Sequence, residues 1–143
     1  MTSYILILLE HIFEGEINGR GRATGYHYEM IEDSAGSVIE GTRTMADPNG
    51  VYEGKVTVNG VPKTANGGKS TFFPESMTPQ EVVDCINEAY GNKIPQLGTV
   101  NTYNGTTSQG FTVQMFLDAA GKLNQPFRLE QEVIKCSIKS LVL

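Results

Sequence analysis

Turn-forming residues interrupt this 143-residue chain at short intervals, and that spacing limits most of it to short strands. Glycine occurs 16 times and proline six times, a composition that favours many turns and little helix. Turns are predicted at residues 33–36 (Asp-Ser-Ala-Gly), 46–50 and 59–60. The last is an Asn-Gly pair after an alternating segment, which is typical of a type I′ β-hairpin. We therefore expect strands to dominate the fold.

Several segments have the alternation or the β-branched content of strands. They are 26–32, 38–40, 51–58, 99–103, 111–117, 122–129 and 133–143. The turn at 33–36 would join the first two segments as a hairpin. A turn at 119–121 would join 111–117 to 122–129. The apolar segment 4–13 fits either a helix or a buried strand, and periodicity does not decide between them.

One helix is predicted with clear boundaries. It begins at residues 78–81 (Thr-Pro-Gln-Glu), a capping box with proline at the first helical position, and ends at Tyr90 before Gly91. Val82 and Ile86 lie at helical spacing and mark the face that packs on a core. A helix packed on antiparallel sheet is an α+β fold.

Length and composition predict one domain, residues 1–143. The 39% apolar and 19% charged content is typical of a soluble globular chain. A formal net charge of −5 argues against holding nucleic acid by overall charge. A local basic cleft remains compatible with that charge, because several basic residues fall in the half of the chain that carries the histidines. They are Arg20, Arg22, Lys55, Lys63 and Lys69.

The cysteines and the hydrophobic runs exclude other classes of protein. Cys85 and Cys136 are far apart in the sequence and do not form a disulfide framework, so we interpret both as free thiols. No hydrophobic run approaches the roughly 18–20 residues that span a bilayer. The apolar residues 5–9 lack a basic leader and run into the first histidine segment, so we expect neither a signal peptide nor a membrane segment here.

The only two histidines, His11 and His27, lie in one glycine-rich segment. Histidine titrates near neutral pH, so two of them can act as base and acid in a single reaction. RNA cleavage by transesterification uses such a pair. One imidazole takes the proton of a ribose 2′-hydroxyl, and an imidazolium protonates the departing 5′-oxygen. The charge on the phosphoryl oxygens then needs a cation, for which Lys63 and Lys69 are the candidates.

Two other interpretations of the histidines are open. Either residue can be a hydrogen-bonded structural side chain with no catalytic part. A structural zinc site is a weaker alternative, because the histidines lack i, i+2 or i, i+4 spacing and the cysteines lie far downstream. We predict no metal site and no cofactor, and stimulation by Mn²⁺ is left open.

The residues around the histidines resemble the EndoU endoribonucleases. Residues 10–16 (Glu-His-Ile-Phe-Glu-Gly-Glu) and 25–27 (Gly-Tyr-His) are similar to the family's paired-histidine signature, a His-hydrophobic-x-x-Gly-Glu run followed by a Gly-aromatic-His run. Residues 59–63 and 67–74 are similar to its lysine segment and to the strand that leads into its helix. The resemblance covers nearly the whole chain. It is strongest to bacterial EndoU toxins, which often form the C-terminal domain of contact-dependent growth-inhibition effectors.

This resemblance implies two antiparallel β-sheets with the active-site cleft between them. It implies that His11 and His27 are the acid–base pair of an endoribonuclease that leaves 2′,3′-cyclic phosphate and 5′-hydroxyl ends. The expected substrate is RNA, with tRNA as the class we favour, and the expected partner is a cognate immunity protein. The expected location is the cytoplasm of a target bacterium, after secretion or delivery.

The choice of catalytic lysine is open at this point. Lys63 is favoured because the preceding hairpin would place it just beyond a strand. Lys69 is the alternative, because it precedes Ser70 and Thr71, whose hydroxyl groups are able to contact phosphate. We therefore predict Lys63 as the catalytic lysine and assign substrate binding to Lys69, Ser70 and Thr71.

One departure from the family pattern affects the late part of the chain. Where the family has a Thr-x-Tyr-Pro run, this chain has Gln125-Pro126-Phe127-Arg128. Gln125 keeps an amide donor and Phe127 keeps a ring that can stack on a base, so both are assigned to substrate binding. The lost hydroxyl groups favour an alternative function, a catalytically impaired module that binds RNA or a partner. A purely structural interaction domain is a third interpretation, which leaves the paired histidines unexplained.

Overall fold

The computed structural model describes residues 4–116 and 135–139, with side chains described for 9–115. These ranges contain the helices α1 (Tyr4–Phe13) and α2 (Pro79–Asn92) and a 3₁₀ turn at Ala65–Gly68. The strands are β1 (Glu16–Ile17), β2 (Ala23–Thr24), β3 (Gly36–Val38), β4 (Tyr52–Val58), β5 (Val61–Pro62), β6 (Lys69–Phe72), β7 (Ile94–Pro95), β8 (Thr102–Thr106), β9 (Thr112–Phe116) and β10 (Lys135–Lys139). Antiparallel sheets with few helices confirm the predicted α+β class.

The first large sheet is built around β4. Strand β3 pairs with it on one side, while β5 and β6 pair with successive parts of it. The β4–β5 connection is the predicted hairpin, because Asn59 and Gly60 both have left-handed backbone, with φ of 50° and 81°. The hairpin sends the chain back along β4 and sets Lys63 directly after β5.

The second large sheet has the strand order β10-β9-β8-β7, and all its pairs are antiparallel. Helix α2 packs on it through Val82, Ile86 and Ala89, which share a core with Val113 and Met115. The predicted capping box is confirmed, although the helix continues to Asn92 rather than ending at Tyr90. Strand β10 contacts β6, which joins the two large sheets.

The predicted strand at 26–32 is wrong. Its backbone bonds go to α1 and to the end of β6 rather than to the 38–40 segment, and Tyr26 adopts a left-handed φ of 71°. Tyr26 and Tyr28 also enter different cores, one in the first sheet and one beneath the second. The segment is therefore an irregular connection between two layers, and β3 pairs with β4 instead.

The other elements follow the predictions with shifted ends. Residues 4–13, which by sequence fit either a helix or a buried strand, form the helix α1. The segment predicted at 99–103 becomes β8, which begins only at Thr102, and the one at 111–117 becomes β9. The predicted strand at 122–129 and its turn at 119–121 lie outside the described residues. Part of the 133–143 segment forms β10, which pairs with β9. No helix within the described ranges is long and apolar enough to cross a membrane.

Candidate functional site

The first histidine lies in the last turn of α1. Its ring is buried, and its Nδ1 lies 2.8 Å from Oε2 of Glu16, which β1 brings back beside the helix. A carboxylate accepts hydrogen bonds, so Nδ1 of His11 carries the proton. Thr24, opposite Glu16 in the β1–β2 pair, donates its hydroxyl to the same carboxylate oxygen at 3.1 Å. The imidazole is thereby held in one orientation and one tautomer.

The other nitrogen of this ring, Nε2, is buried and has no hydrogen-bond partner among the described residues. Leaving a buried polar atom unpaired costs about 1–3 kcal/mol, so such atoms are rare in folded proteins and call for an explanation. Here the unpaired atom belongs to His11, whose other nitrogen is firmly held. This is the pattern expected of a group that acquires its partner only when a ligand binds.

The second histidine is held by backbone on both sides. The amide of His27 donates to the carbonyl of Ile12 at 2.7 Å, and the amide of Phe73 donates to the carbonyl of His27 at 2.8 Å. Nδ1 of His27 lies 2.7 Å from the carbonyl oxygen of Thr71. Because a carbonyl only accepts, Nδ1 is the protonated nitrogen, and Nε2 of the neutral ring carries the lone pair.

The two rings come together. Their centroids lie 5.5 Å apart, with the planes tilted by 38°. Burial lowers the pKa of His27 well below its ordinary value of 6.5, and the positive charge of Lys63 and the neighbouring His11 add to that effect. At neutral pH His27 is therefore an unprotonated imidazole, which is the state a general base requires.

Gly25 makes the close approach of the two histidines possible. It has a left-handed φ of 82°, and a Cβ built on it would overlap the carbonyl oxygen of His11 and lie 3.0 Å from its Nδ1. The next amide, that of Tyr26, donates to the same His11 carbonyl at 2.8 Å. Any side chain at position 25 would push the His27 segment away from α1.

The side chain of Lys63 extends from the end of the β4–β5 hairpin toward the histidine pair. Its amide donates to Val56, which extends the β4–β5 ladder, and its Nζ donates to Oγ of Ser70 at 2.9 Å. Ser70 in turn donates to the carbonyl of Gly25 at 2.9 Å. Burial lowers the pKa of Lys63 to about 8, because few polar groups replace the water lost around the ammonium.

The structure separates the two lysines that the sequence left as alternatives. Side chains alternate along a strand, so Lys69 and Ser70 project from opposite faces of β6. Ser70 contacts Lys63, whereas Lys69 lies opposite Lys55 of β4. Lys63 is thus the lysine brought next to the histidines. Thr71 contributes its backbone carbonyl to the histidine pair.

Other predicted site residues are not placed. Gln125 and Phe127 lie outside the described residues.

The residue that sequence reasoning missed is Glu16. Its signal was present in the Gly15-Glu16 pair, because a glycine just after a helix allows the chain to turn back beside it. Within the described part of the chain, no three His, Cys, Asp or Glu side chains gather as a metal site requires.

An α+β fold that brings together a buried pair of imidazoles, a carboxylate and a lysine contains the side-chain types that acid–base chemistry requires. The chain belongs to the bacterial EndoU nuclease family, whose model matches residues 8–127. It is also 48% identical over 122 residues to a protein named "Toxin" from Bacillus cereus (strain ATCC 14579). That match covers 85% of this chain and 22% of the relative, so the chain spans a minor part of its relative's length. No solved structure matches.

Proposed function

We propose that this nuclease domain cleaves RNA by transesterification and leaves a 2′,3′-cyclic phosphate and a 5′-hydroxyl. The observation that carries the proposal is the pairing of His11 and His27, which lie 5.5 Å apart with different hydrogen-bond partners on their Nδ1 atoms. One ring is bonded to a carboxylate and the other to a backbone carbonyl. Two imidazoles in different environments are suited to different proton-transfer roles.

His27 is assigned as the general base. It is neutral at physiological pH, and its Nδ1 proton is committed to the carbonyl of Thr71. The lone pair on Nε2 is then available to take the proton of the ribose 2′-hydroxyl as the oxygen attacks phosphorus.

His11 is assigned as the general acid. Its Nδ1 proton is bound to Glu16, so a second proton would reside on Nε2, the buried atom that has no partner. The Glu16 carboxylate accepts the hydrogen bond from Nδ1 and holds the ring in this orientation. On cleavage, Nε2 would give its proton to the departing 5′-oxygen, and Glu16 would continue to hold the ring in place.

Lys63 is assigned to stabilise the negative charge on the phosphoryl oxygens. Its ammonium donates one hydrogen bond, to the neutral hydroxyl of Ser70, and has two further protons to offer. A phosphate oxygen is a stronger acceptor for a cation than a hydroxyl is. Ser70, which contacts Lys63, would assist as a hydroxyl group near the phosphate. Thr71 projects from the other face of β6, so its part is the carbonyl that holds His27. The contacts of Gln125 and Phe127 with a base stay predictions.

Every proton transfer in this scheme belongs to a side chain of the protein. We therefore expect RNA cleavage to need no cofactor and to persist in EDTA. Stimulation by Mn²⁺ is tested separately.

The biological setting is proposed by similarity. Because a relative is named a toxin, we infer that the domain acts after delivery into the cytoplasm of a target bacterium. A tRNA substrate, a cognate immunity protein and a contact-dependent growth-inhibition effector are parts of the same proposal.

The test is to incubate the purified domain with total RNA in EDTA, beside His11→Ala, His27→Ala and Glu75→Gln variants. Glu75 is exposed and lies outside the histidine cluster, so it serves as the control. Loss of either histidine should lower the rate about 10²- to 10⁴-fold, while Glu75→Gln should cleave like the wild type. New ends are then mapped for cyclic phosphate. RNA that is bound but left intact by the wild type would instead favour the impaired binding module.

A further inference from the structure

A basic cavity of about 330 Å³ opens between β4, β5 and the turn at 65–68. Its described lining includes Lys55, Lys63, Thr64 and Gly68, and none of the described lining residues is acidic. This volume is in the range of pockets that bind small molecules or parts of larger ligands. The chain as a whole carries a net charge of −5, so a cavity whose described charged lining residues are both lysines is a local exception to its surface.

A second lysine stands beside Lys55. In the antiparallel register of β4 and β6, Lys55 lies directly opposite Lys69, and both project from the same face of the sheet. Like charges in directly opposite positions destabilise a sheet. The repulsion between the two lysines therefore lowers the stability of the protein when no anion is bound. An anion placed between the two ammonium groups would remove that repulsion.

No carboxylate in the described part of the chain neutralises this pair. The ion pairs between its described side chains join Arg43 to Glu29 and Glu40 and, when His11 is protonated, His11 to Glu16. Glu53 lies on the same face of β4, two residues from Lys55, and forms no ion pair with it. Among the described residues, Lys55 and Lys69 thus have no counter-charge.

The turn at 65–68 keeps the wall of the cavity open. A Cβ added to Gly68 would lie 3.0 Å from the carbonyl oxygen of Lys63 and 3.9 Å from Cγ of Lys55. Gly68 also has a left-handed φ of 85°, which disfavours other residues. The glycine therefore leaves bare backbone next to the lysine stem, where a larger side chain would fill the space.

We propose that this cavity and the Lys55–Lys69 pair bind a backbone phosphate of the RNA strand other than the phosphate that is cleaved. The inference rests on the proposed function. Lys63 connects the two places, because its Nζ contacts Ser70 in the catalytic site while the same residue lines the cavity. The subsite would position the strand without taking part in proton transfer.

Binding is measured by fluorescence anisotropy at several KCl concentrations, with a short single-stranded RNA that carries 2′-O-methyl groups and cannot be cleaved. Lys55→Gln and Lys69→Gln are compared with Lys93→Gln, which removes the same charge just after α2. Lys55→Gln and Lys69→Gln should each weaken binding about fivefold and reduce the salt slope by about 0.7, the value for one phosphate contact on a single strand. A smaller loss is expected for Lys93→Gln.

Equal losses in all three variants would overturn the proposal, because they would indicate diffuse attraction rather than a subsite. A Lys55→Glu variant gives an independent readout. It places opposite charges across the strands, so the melting temperature should rise while RNA binding falls. A fall in both quantities, or in neither, would contradict the assigned role.

Cleavage assays distinguish a failure of the proposed phosphate subsite from a failure of the proposed RNA-cleaving function. Cleavage of a dinucleoside monophosphate, which has only the scissile phosphate, should be the same in Lys55→Gln and wild type. Cleavage of a longer RNA should show a raised KM and an unchanged kcat. If the wild type cleaves RNA and the KM does not change, the subsite alone fails. If the wild type cleaves no RNA at all, the proposed function fails, and the anisotropy result still decides whether the cavity binds a strand.

Discussion

A Gly25→Ala substitution tests whether the histidine pair depends on the close approach of the His27 segment to α1. The new methyl group would overlap the carbonyl oxygen of His11 and lie 3.0 Å from the Nδ1 atom that faces Glu16. These contacts are with backbone and with a buried ring, neither of which can move without disturbing the site. The substitution should therefore lower stability and separate the two imidazoles.

The magnitude follows from comparison with Gly21→Ala. Gly21 has nearly the same backbone, with a φ of 78° against 82° for Gly25, but nothing lies within 4 Å of its added Cβ. Both variants should lose about 1–2 kcal/mol because alanine disfavours left-handed backbone. Only Gly25→Ala should lose about 1–3 kcal/mol more from overpacking. We expect a total of about 2–5 kcal/mol at position 25.

The assay is urea unfolding of the wild type and both variants, followed by RNA cleavage under conditions in which each is folded. Gly25→Ala should also lose at least about tenfold in kcat, since a displacement near 1 Å at a reacting group costs up to 10². Gly21→Ala should retain wild-type kcat. Equal unfolding free energies for the two variants, or full activity of folded Gly25→Ala, would refute the role of this glycine.

Glu16→Gln should lower kcat about 10- to 100-fold with little change in KM, because the carboxylate that accepts the hydrogen bond from Nδ1 of His11 and fixes its ring is replaced by an amide; an unchanged kcat in steady-state assays would contradict this. The low pKa of His27 keeps it neutral, so kcat/KM should not fall between pH 7.5 and 6.5 through protonation of the base; a wild-type fall in that interval would assign the base to another group. Lys63 must be charged to act on phosphate and has a pKa of about 8, so activity should decline above pH 8 and Lys63→Arg should shift that decline upward. Thr78→Ala removes the cap of α2 and should cost about 1 kcal/mol in urea unfolding without changing kcat.

Local signals predicted those parts of the fold that depend on neighbours in the sequence. The capping box at 78–81 specifies the start of α2 because its hydrogen bonds join residues three positions apart. The Asn-Gly pair at 59–60 specifies a hairpin because its left-handed backbone matches the twist of the two strands. Both features stabilise the same local geometry wherever they occur.

The segment 26–32 shows where such signals fail. Its alternation is that of a strand, yet Tyr26 and Tyr28 alternate between two different cores, so the pattern does not report one sheet surface. The partners of its backbone come from α1 and from the residue that follows β6, the latter 46 positions away in the chain for His27. A period of two therefore predicted neither the element nor the burial, since His27 between the two tyrosines is buried as well and Met30 is 44% exposed.

The candidate site divides in the same way. The sequence determined which side chains have suitable chemistry, since it contains only two histidines and places Lys63 just after a hairpin. Tertiary structure alone decided that Lys63 faces Ser70 while Lys69 faces Lys55, and that Glu16 holds His11. The protonation state of His27 could not be predicted from the sequence either, because burial and the nearby charges of the folded protein lower its pKa. Side-chain type is a property of the residue, whereas distance, burial and charge environment arise only when distant segments pack together.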